Sequence, residues 1–114
     1  MTKYLDRKAI LGTSLRTKEL EIEEWGGTVL IQEPSAATAR FLANLPENHH
    51  RHTYWAVRCM VDENGERLFQ DSDVTLLMEK ASTIVTFVVD EIIDSFGLLE
   101  KKARYEEKRK ANSD

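Results

Sequence analysis

The sequence predicts an α+β fold: an N-terminal β-hairpin packed on a mainly α-helical domain, ending in a long amphipathic helix and a charged tail. Residues 18–33 hold two short strand-like segments on either side of a Gly-Gly pair. Residues 83–96 repeat apolar side chains at helical spacing. Beyond residue 99 the chain is highly charged with few apolar anchors. We therefore expect residues 1–99 to form a single domain and residues 100–114 a flexible tail.

The hairpin is predicted from the alternation of apolar and charged side chains. In residues 18–24, Leu20 and Ile22 point one way and the intervening glutamates the other, as in a half-buried strand. Residues 28–33 are rich in β-branched side chains, which favours a second strand. Gly26 and Gly27 are expected to supply the positive φ angles of the connecting turn. No clear period is visible in residues 1–17.

The middle of the chain is predicted to be helical. Ser35 is expected to cap a helix over residues 36–45, which Pro46 closes. Residues 50–61 are apolar nearly all round a helix, yet the same residues also fit a strand with Trp55 and Val57 on one face. We favour a buried helix there, with the strand as the alternative.

Residues 62–65 are expected to form a turn, and residues 67–69 a short extended piece that anchors in the core. One of the residues 71–73 is predicted to cap a helix over residues 74–80. Ser82 is predicted to cap the last helix, over residues 83–96, which Gly97 ends.

Phe87 interrupts the polar face of this last helix. At about 100° per residue, the apolar side chains cover roughly half of the cylinder, while Phe87 falls between Asp94 and Glu91. An aromatic ring on an acidic face either packs under the preceding loop or anchors a contact with another chain. Leu98 and Leu99 extend the apolar surface. The predicted protein-binding residues are Phe87, Glu91, Asp94, Phe96, Leu98 and Leu99.

Charge and composition narrow the possible functions. Residues 1–99 carry 10 basic and 16 acidic side chains, so this body is acidic, which argues against a nucleic-acid-binding surface. The longest apolar stretch, residues 84–93, is too short and too charged to span a membrane, and we expect no secretory signal. The single cysteine, Cys59, suits a reducing compartment.

Catalytic and metal-binding patterns are weak. His49, His50 and His52 suggest a metal, but their spacing is poor and no neighbouring cysteine completes a ligand set. Placing Gly65 at the sixth position of a calcium loop puts Met60 at the first, where a ligand is required. Cys59 lies in an apolar run typical of a core residue. We therefore expect no enzyme activity, no cofactor and no bound metal.

The order of these segments resembles the tail assembly chaperones of long-tailed (siphovirus-type) bacteriophages. The matching features are the Glu-Trp-Gly-Gly hairpin at residues 24–27, the Asp-Glu-Asn-Gly turn followed by Leu-Phe and Asp-Val within residues 61–77, and the long helix that ends in Gly-Leu. The resemblance covers residues 5–99. Pro34 and the His-rich stretch from His49 depart from the family's pattern.

The resemblance implies a function. Such chaperones bind the tape measure protein, keep it soluble, help to recruit tail tube subunits, form homo-oligomers, and act in the host cell cytoplasm without entering the mature virion. Many also have a longer form made by a translational frameshift, which here would fall near Lys101–Lys102 or in residues 108–110. Two alternatives stay open: a small intracellular adaptor unrelated to tails, and a metal-dependent enzyme that uses His49, His50 and His52.

Overall fold

The computed structural model describes residues 2–46 and 49–96. These residues form an α+β domain with a three-stranded antiparallel sheet of order β1-β2-β3, which confirms the predicted fold class. The helices and strands are α1 (Arg7–Leu11), β1 (Thr17–Ile22), β2 (Gly27–Gln32), α2 (Ala36–Ala43), α3 (Arg51–Cys59), β3 (Met60–Val61), α4 (Val74–Leu77) and α5 (Ser82–Ser95).

The predicted hairpin is present. Strands β1 and β2 pair from Thr17 opposite Gln32 to Ile22 opposite Gly27, and Leu20 and Ile22 are buried as the alternation requires. The connection is a 3-10 turn over Glu23–Trp25 that ends at Gly26, whose φ is 75°. Of these two glycines, Gly26 alone adopts a positive φ, and Gly27 begins β2. The expectation that both glycines of the turn would be left-handed was therefore wrong.

Helix α2 begins where the sequence predicts. The Ser35 hydroxyl accepts a hydrogen bond from the Thr38 N–H at 3.2 Å, and this supplies one of the missing acceptors of a helix N-terminus. The helix ends at Ala43, two residues earlier than predicted, with Asn44 as its C-terminal cap. Leu42 is buried, and the ring of Phe41 lies edge-on to Tyr54 at a centroid distance of 5.3 Å.

Residues 50–61 contain both predicted alternatives in succession. Arg51–Cys59 is the buried helix α3 that we favoured. The backbone becomes extended at Met60, and Met60–Val61 pairs antiparallel with Ile31 and Leu30 of β2. The apolar residues of this segment therefore belong partly to a helix and partly to a strand, and in both elements they pack against the core.

The segment after β3 follows the predicted order with shifted ends. The Asp62 carboxylate accepts hydrogen bonds from the N–H groups of Asn64 and Glu66, which closes the predicted turn. A 3-10 turn over Asp71–Asp73 then leads directly into α4. Asp73 holds the predicted cap position of α4, but its side chain accepts from the Gln70 N–H and so closes the 3-10 turn instead of bonding to α4. Helix α4 ends at Leu77 and not at Lys80.

Helix α5 is the largest contributor to the core. Its buried face consists of Val85, Val88, Val89 and Ile92, and burying each such side chain contributes about 1.5–3 kcal/mol. The helix packs against α3 and β1. Ser82 is its first helical residue and makes no cap hydrogen bond; Ala81 holds the cap position, so the predicted Ser82 cap was wrong.

The N-terminal region contains a helix that the sequence did not predict. Asp6 caps α1 by accepting a hydrogen bond from the Ala9 N–H at 2.8 Å, and the helix ends at Leu11 with Gly12 as its C-terminal cap. No residue of α1 is buried. None of the helices within residues 2–46 and 49–96 has the length and hydrophobicity needed to cross a bilayer. The predicted boundary between the domain and its tail, at residue 99, lies outside the described residues.

Candidate protein-binding surface

An open cavity of about 390 Å³ lies between the N-terminal half of α5 and the turn end of the hairpin. We call it the Phe87 groove. Its lining residues come from the end of β1, from the 3-10 turn that follows it and from the N-terminal part of α5: Glu21, Ile22, Glu23, Glu24, Thr83, Ile84 and Phe87. The hairpin thus places glutamates on one side of the groove, and α5 places apolar side chains on the other.

Phe87 is the apolar anchor of this groove. The buried residues of α5 are Val85, Val88, Val89 and Ile92, and Phe87 lies outside that face with 44% of its surface exposed. Exposure of a large aromatic ring next to a groove is costly in water. Aromatic side chains in such positions are favoured as contact points for other chains.

The groove is acidic. Among the described residues that line it, the charged ones are Glu21, Glu23 and Glu24, with no lysine or arginine. All three glutamates are exposed. An apolar surface edged by negative charge suits a segment that combines apolar and basic side chains.

Glu91 and Asp94 continue along α5 on the same side as Phe87 but have different surroundings. The Glu91 carboxylate accepts hydrogen bonds from the Lys18 ammonium at 3.1 Å and the Ser95 hydroxyl at 3.1 Å. Glu91 therefore joins α5 to β1 within the domain. Asp94 is exposed.

Phe96 belongs to the core, since only 3% of its surface is exposed. The Arg16 guanidinium lies 5.5 Å from the centre of its ring and donates a hydrogen bond to its carbonyl oxygen at 3.0 Å. A buried ring offers no surface to a partner, so Phe96 does not contribute its side chain to a protein-binding surface in this conformation. Leu98 and Leu99 lie outside the described residues.

A second, more apolar cavity of about 330 Å³ was missed by the sequence analysis. It is lined by Trp25, Phe69, Leu76, Leu77 and Lys80. Leu76 is 60% exposed here, although its neighbour Leu77 is buried. The adjacent leucines were the available signal, because two consecutive residues of a helix point about 100° apart and a narrow buried face holds only one of them.

Cys59 is buried in the core, as predicted, whereas the three histidines are exposed. Burial raises the pKa of the Cys59 thiol to about 12, which keeps the thiol protonated at neutral pH. His49, His50 and His52 are exposed at the start of α3, and the Nε2 atom of His52 lies 3.3 Å from the Thr86 hydroxyl. Within residues 2–46 and 49–96, no three His, Cys, Asp or Glu side chains are grouped so as to hold a metal ion.

The architecture is that of a small α+β domain whose hairpin and C-terminal helix enclose an acidic groove with an exposed aromatic ring. It is similar to the solved structure of the bacteriophage HK97 tail assembly chaperone, with a TM-score of 0.61 and 16% sequence identity. The match covers 76% of this chain and 89% of that chain. No protein-family model and no curated protein matches the sequence. At this level of identity the similarity establishes a shared fold.

Proposed function

We propose that this chain is a phage tail assembly chaperone that binds the tape measure protein, keeps it soluble and helps to recruit tail tube subunits during tail assembly. The observation that carries the proposal is the shared fold with the HK97 chaperone over 76% of the chain. The resemblance in the Trp-Gly hairpin and in residues 61–77 supports the same family. The role requires no catalytic group, cofactor or metal.

The Phe87 groove is the surface proposed to hold the partner. A chaperone of this kind must cover apolar segments of a long chain without trapping them, which favours a shallow apolar contact surrounded by charge. Phe87 and Ile84 supply the apolar contact, and Glu21, Glu23 and Glu24 supply the charge. The acidic body, with 10 basic and 16 acidic residues in positions 1–99, keeps the complex hydrated and limits aggregation.

Three further features belong to the proposal. The chain acts in the host cell cytoplasm and is absent from the mature virion, as an assembly factor would be. It associates with itself. A frameshift near Lys101–Lys102 or residues 108–110 gives a second, longer form of the protein.

Co-expression with the tape measure protein of the same phage tests the proposal. The measurement is the soluble fraction of the tape measure protein with and without this chain, followed by capture through a tag on this chain. We expect the tape measure protein to stay soluble only when this chain is present, and to co-purify with it. A tape measure protein that behaves identically in both cases contradicts the proposal and favours the adaptor function.

A further inference from the structure

The N-terminal arm, residues 2–15, is apolar and yet fully exposed. Four of its large apolar side chains have more than half of their surface open to solvent: Tyr4 (89%), Leu5 (63%), Ile10 (53%) and Leu11 (64%). They are concentrated within eight residues at one end of the chain. A soluble surface rarely carries so many large apolar groups together unless they form a contact.

The short helix of the arm also indicates that the arm packs against another surface. Helix α1 has five residues, and isolated helices shorter than about 12 residues are marginal in water. Its caps are local, from the Asp6 carboxylate and from the Gly12 N–H to the Ile10 and Lys8 carbonyl groups. None of its residues is buried in its own chain. Packing against another surface is the ordinary source of stability for such a helix.

The charge of the arm is opposite to that of the Phe87 groove. Lys3, Arg7 and Lys8 outnumber Asp6, so the arm is basic as well as apolar. The groove presents Glu21, Glu23 and Glu24 beside the exposed ring of Phe87. The arm therefore combines the apolar and the basic side chains that suit an acidic groove with an exposed aromatic ring.

The arm joins the domain at Arg16, far from the Phe87 groove of the same chain. Arg16 is held in place because its N–H and its guanidinium group donate to the Glu33 carboxylate, and the guanidinium also donates to the Phe96 carbonyl oxygen. The groove lies at the opposite, turn end of β1, and a six-residue strand is about 17 Å long. With its apolar side chains still exposed in its own chain, the arm matches the groove of another copy.

We propose that the N-terminal arm of one copy docks in the Phe87 groove of a second copy. Ile10 and Leu11 of α1 pack on Phe87 and Ile84, and Arg7 and Lys8 lie against Glu23 and Glu24. The inference rests on the self-association included in the proposed function and assigns a definite contact to it. This contact covers two surfaces that a single copy leaves open, so the arm and the tape measure protein compete for the same groove.

A reciprocal charge reversal tests this contact in the full-length chain. The arm variant is Arg7→Glu with Lys8→Glu, and the groove variant is Glu23→Lys with Glu24→Lys. Acidic residues in the first turn of a helix suit its dipole, so the arm variant does not act by unfolding α1. In each variant alone, arm and groove carry the same sign of charge. In a mixture of the two, each arm meets a groove of opposite sign.

The measurement is the mass of the particle by sedimentation equilibrium across a concentration series. We expect each variant alone to self-associate about tenfold more weakly than the wild type, and the equimolar mixture to regain the wild-type affinity. Glu63→Lys with Glu66→Lys makes the same change of charge in the exposed turn after β3 and is the matched control; it leaves the mass unchanged.

Three results overturn the proposal. They are a wild-type chain that is monomeric throughout the series, variants that associate as the wild type does, and weakened variants whose mixture stays monomeric, which would mean that the arm of one copy does not meet the groove of another. The tape measure protein is absent from this experiment, so these results test the self-association alone and leave the proposed binding of the tape measure protein standing. Conversely, a tape measure protein that ignores this chain does not affect the measured mass.

Discussion

At the scale of single residues, the best-defined interaction is the group around Asp71. The Arg58 guanidinium donates two hydrogen bonds to the Asp71 carboxylate, at 2.8 and 2.6 Å, and Arg67 donates a third at 2.7 Å. The Arg58 guanidinium carbon also lies 3.7 Å from the centre of the Phe41 ring. These contacts connect α2, α3 and the turn before α4, and paired bonds of this kind are among the stronger ones in proteins.

We predict that Asp71→Asn lowers the free energy of unfolding by about 1–3 kcal/mol at neutral pH, because it leaves the half-buried Arg58 without its carboxylate. Burial acts to raise the pKa of Asp71, but hydrogen bonds from Arg67 and Arg58 outweigh it and lower that pKa below its ordinary value. The stabilisation is therefore complete above the unfolded-state pKa and is lost as the pH falls through the folded-state pKa.

Thermal denaturation of the wild type and of Asp71→Asn between pH 7 and pH 3 measures this effect. The difference in Tm is expected to be largest at pH 7 and to shrink as Asp71 becomes protonated. Glu63→Gln, which removes one carboxylate from an exposed turn, is the control and leaves Tm nearly unchanged. A constant difference across the whole pH range would assign the effect of Asp71→Asn to packing instead of charge.

At the scale of elements, the hairpin turn depends on one glycine. Gly26 has a φ of 75°, a backbone conformation that costs other residues about 1–2 kcal/mol, whereas Gly27 lies in β2. A Cβ atom at either position would meet no other atom within 4 Å. The two neighbours therefore differ in backbone conformation and not in the available space.

We predict that Gly26→Ala destabilises the domain by about 1–2 kcal/mol and that Gly27→Ala changes stability by much less. Urea denaturation of both variants provides the comparison. Equal losses in the two variants would contradict the assignment of the left-handed position to Gly26 alone.

The elements also show what local sequence can and cannot predict. The hairpin, α2 and α5 were predictable because alternation, the Ser35 cap and helical spacing are local signals. Helix α1 was not, because its apolar residues face no core within the same chain and so leave no periodic pattern. The change from α3 to β3 at Met60 depends on pairing with Ile31, a contact that no local pattern encodes.

At the scale of the whole molecule, local sequence patterns also predict only part of the candidate site. The helical spacing of α5 separated Phe87 from the buried face, and Phe87 is indeed 44% exposed. Phe96 was predicted to be part of the binding surface although its spacing put it on the apolar face of the helix, and Arg16 and the core enclose it. The glutamates of the groove were visible in the sequence only as the polar face of a strand, because their position opposite Phe87 is set by the packing of β1 against α5.

A single substitution connects this surface to the proposed function. Phe87→Asp adds charge to an already exposed position, so we expect the fold and Tm to be retained. Loss of the aromatic anchor is expected to weaken binding of the tape measure protein about tenfold or more. Leu68→Asp is the matched control, because Leu68 is 47% exposed and lies outside the Phe87 groove.

The most direct test of the account is the soluble yield of the tape measure protein when it is co-expressed with the wild type, Phe87→Asp or Leu68→Asp. We predict high yield and co-purification with the wild type and with Leu68→Asp, and loss of both with Phe87→Asp, whose own folding is verified by circular dichroism. A tape measure protein that is equally soluble and equally captured with Phe87→Asp and with the wild type would contradict the assignment of the Phe87 groove as the surface that binds it.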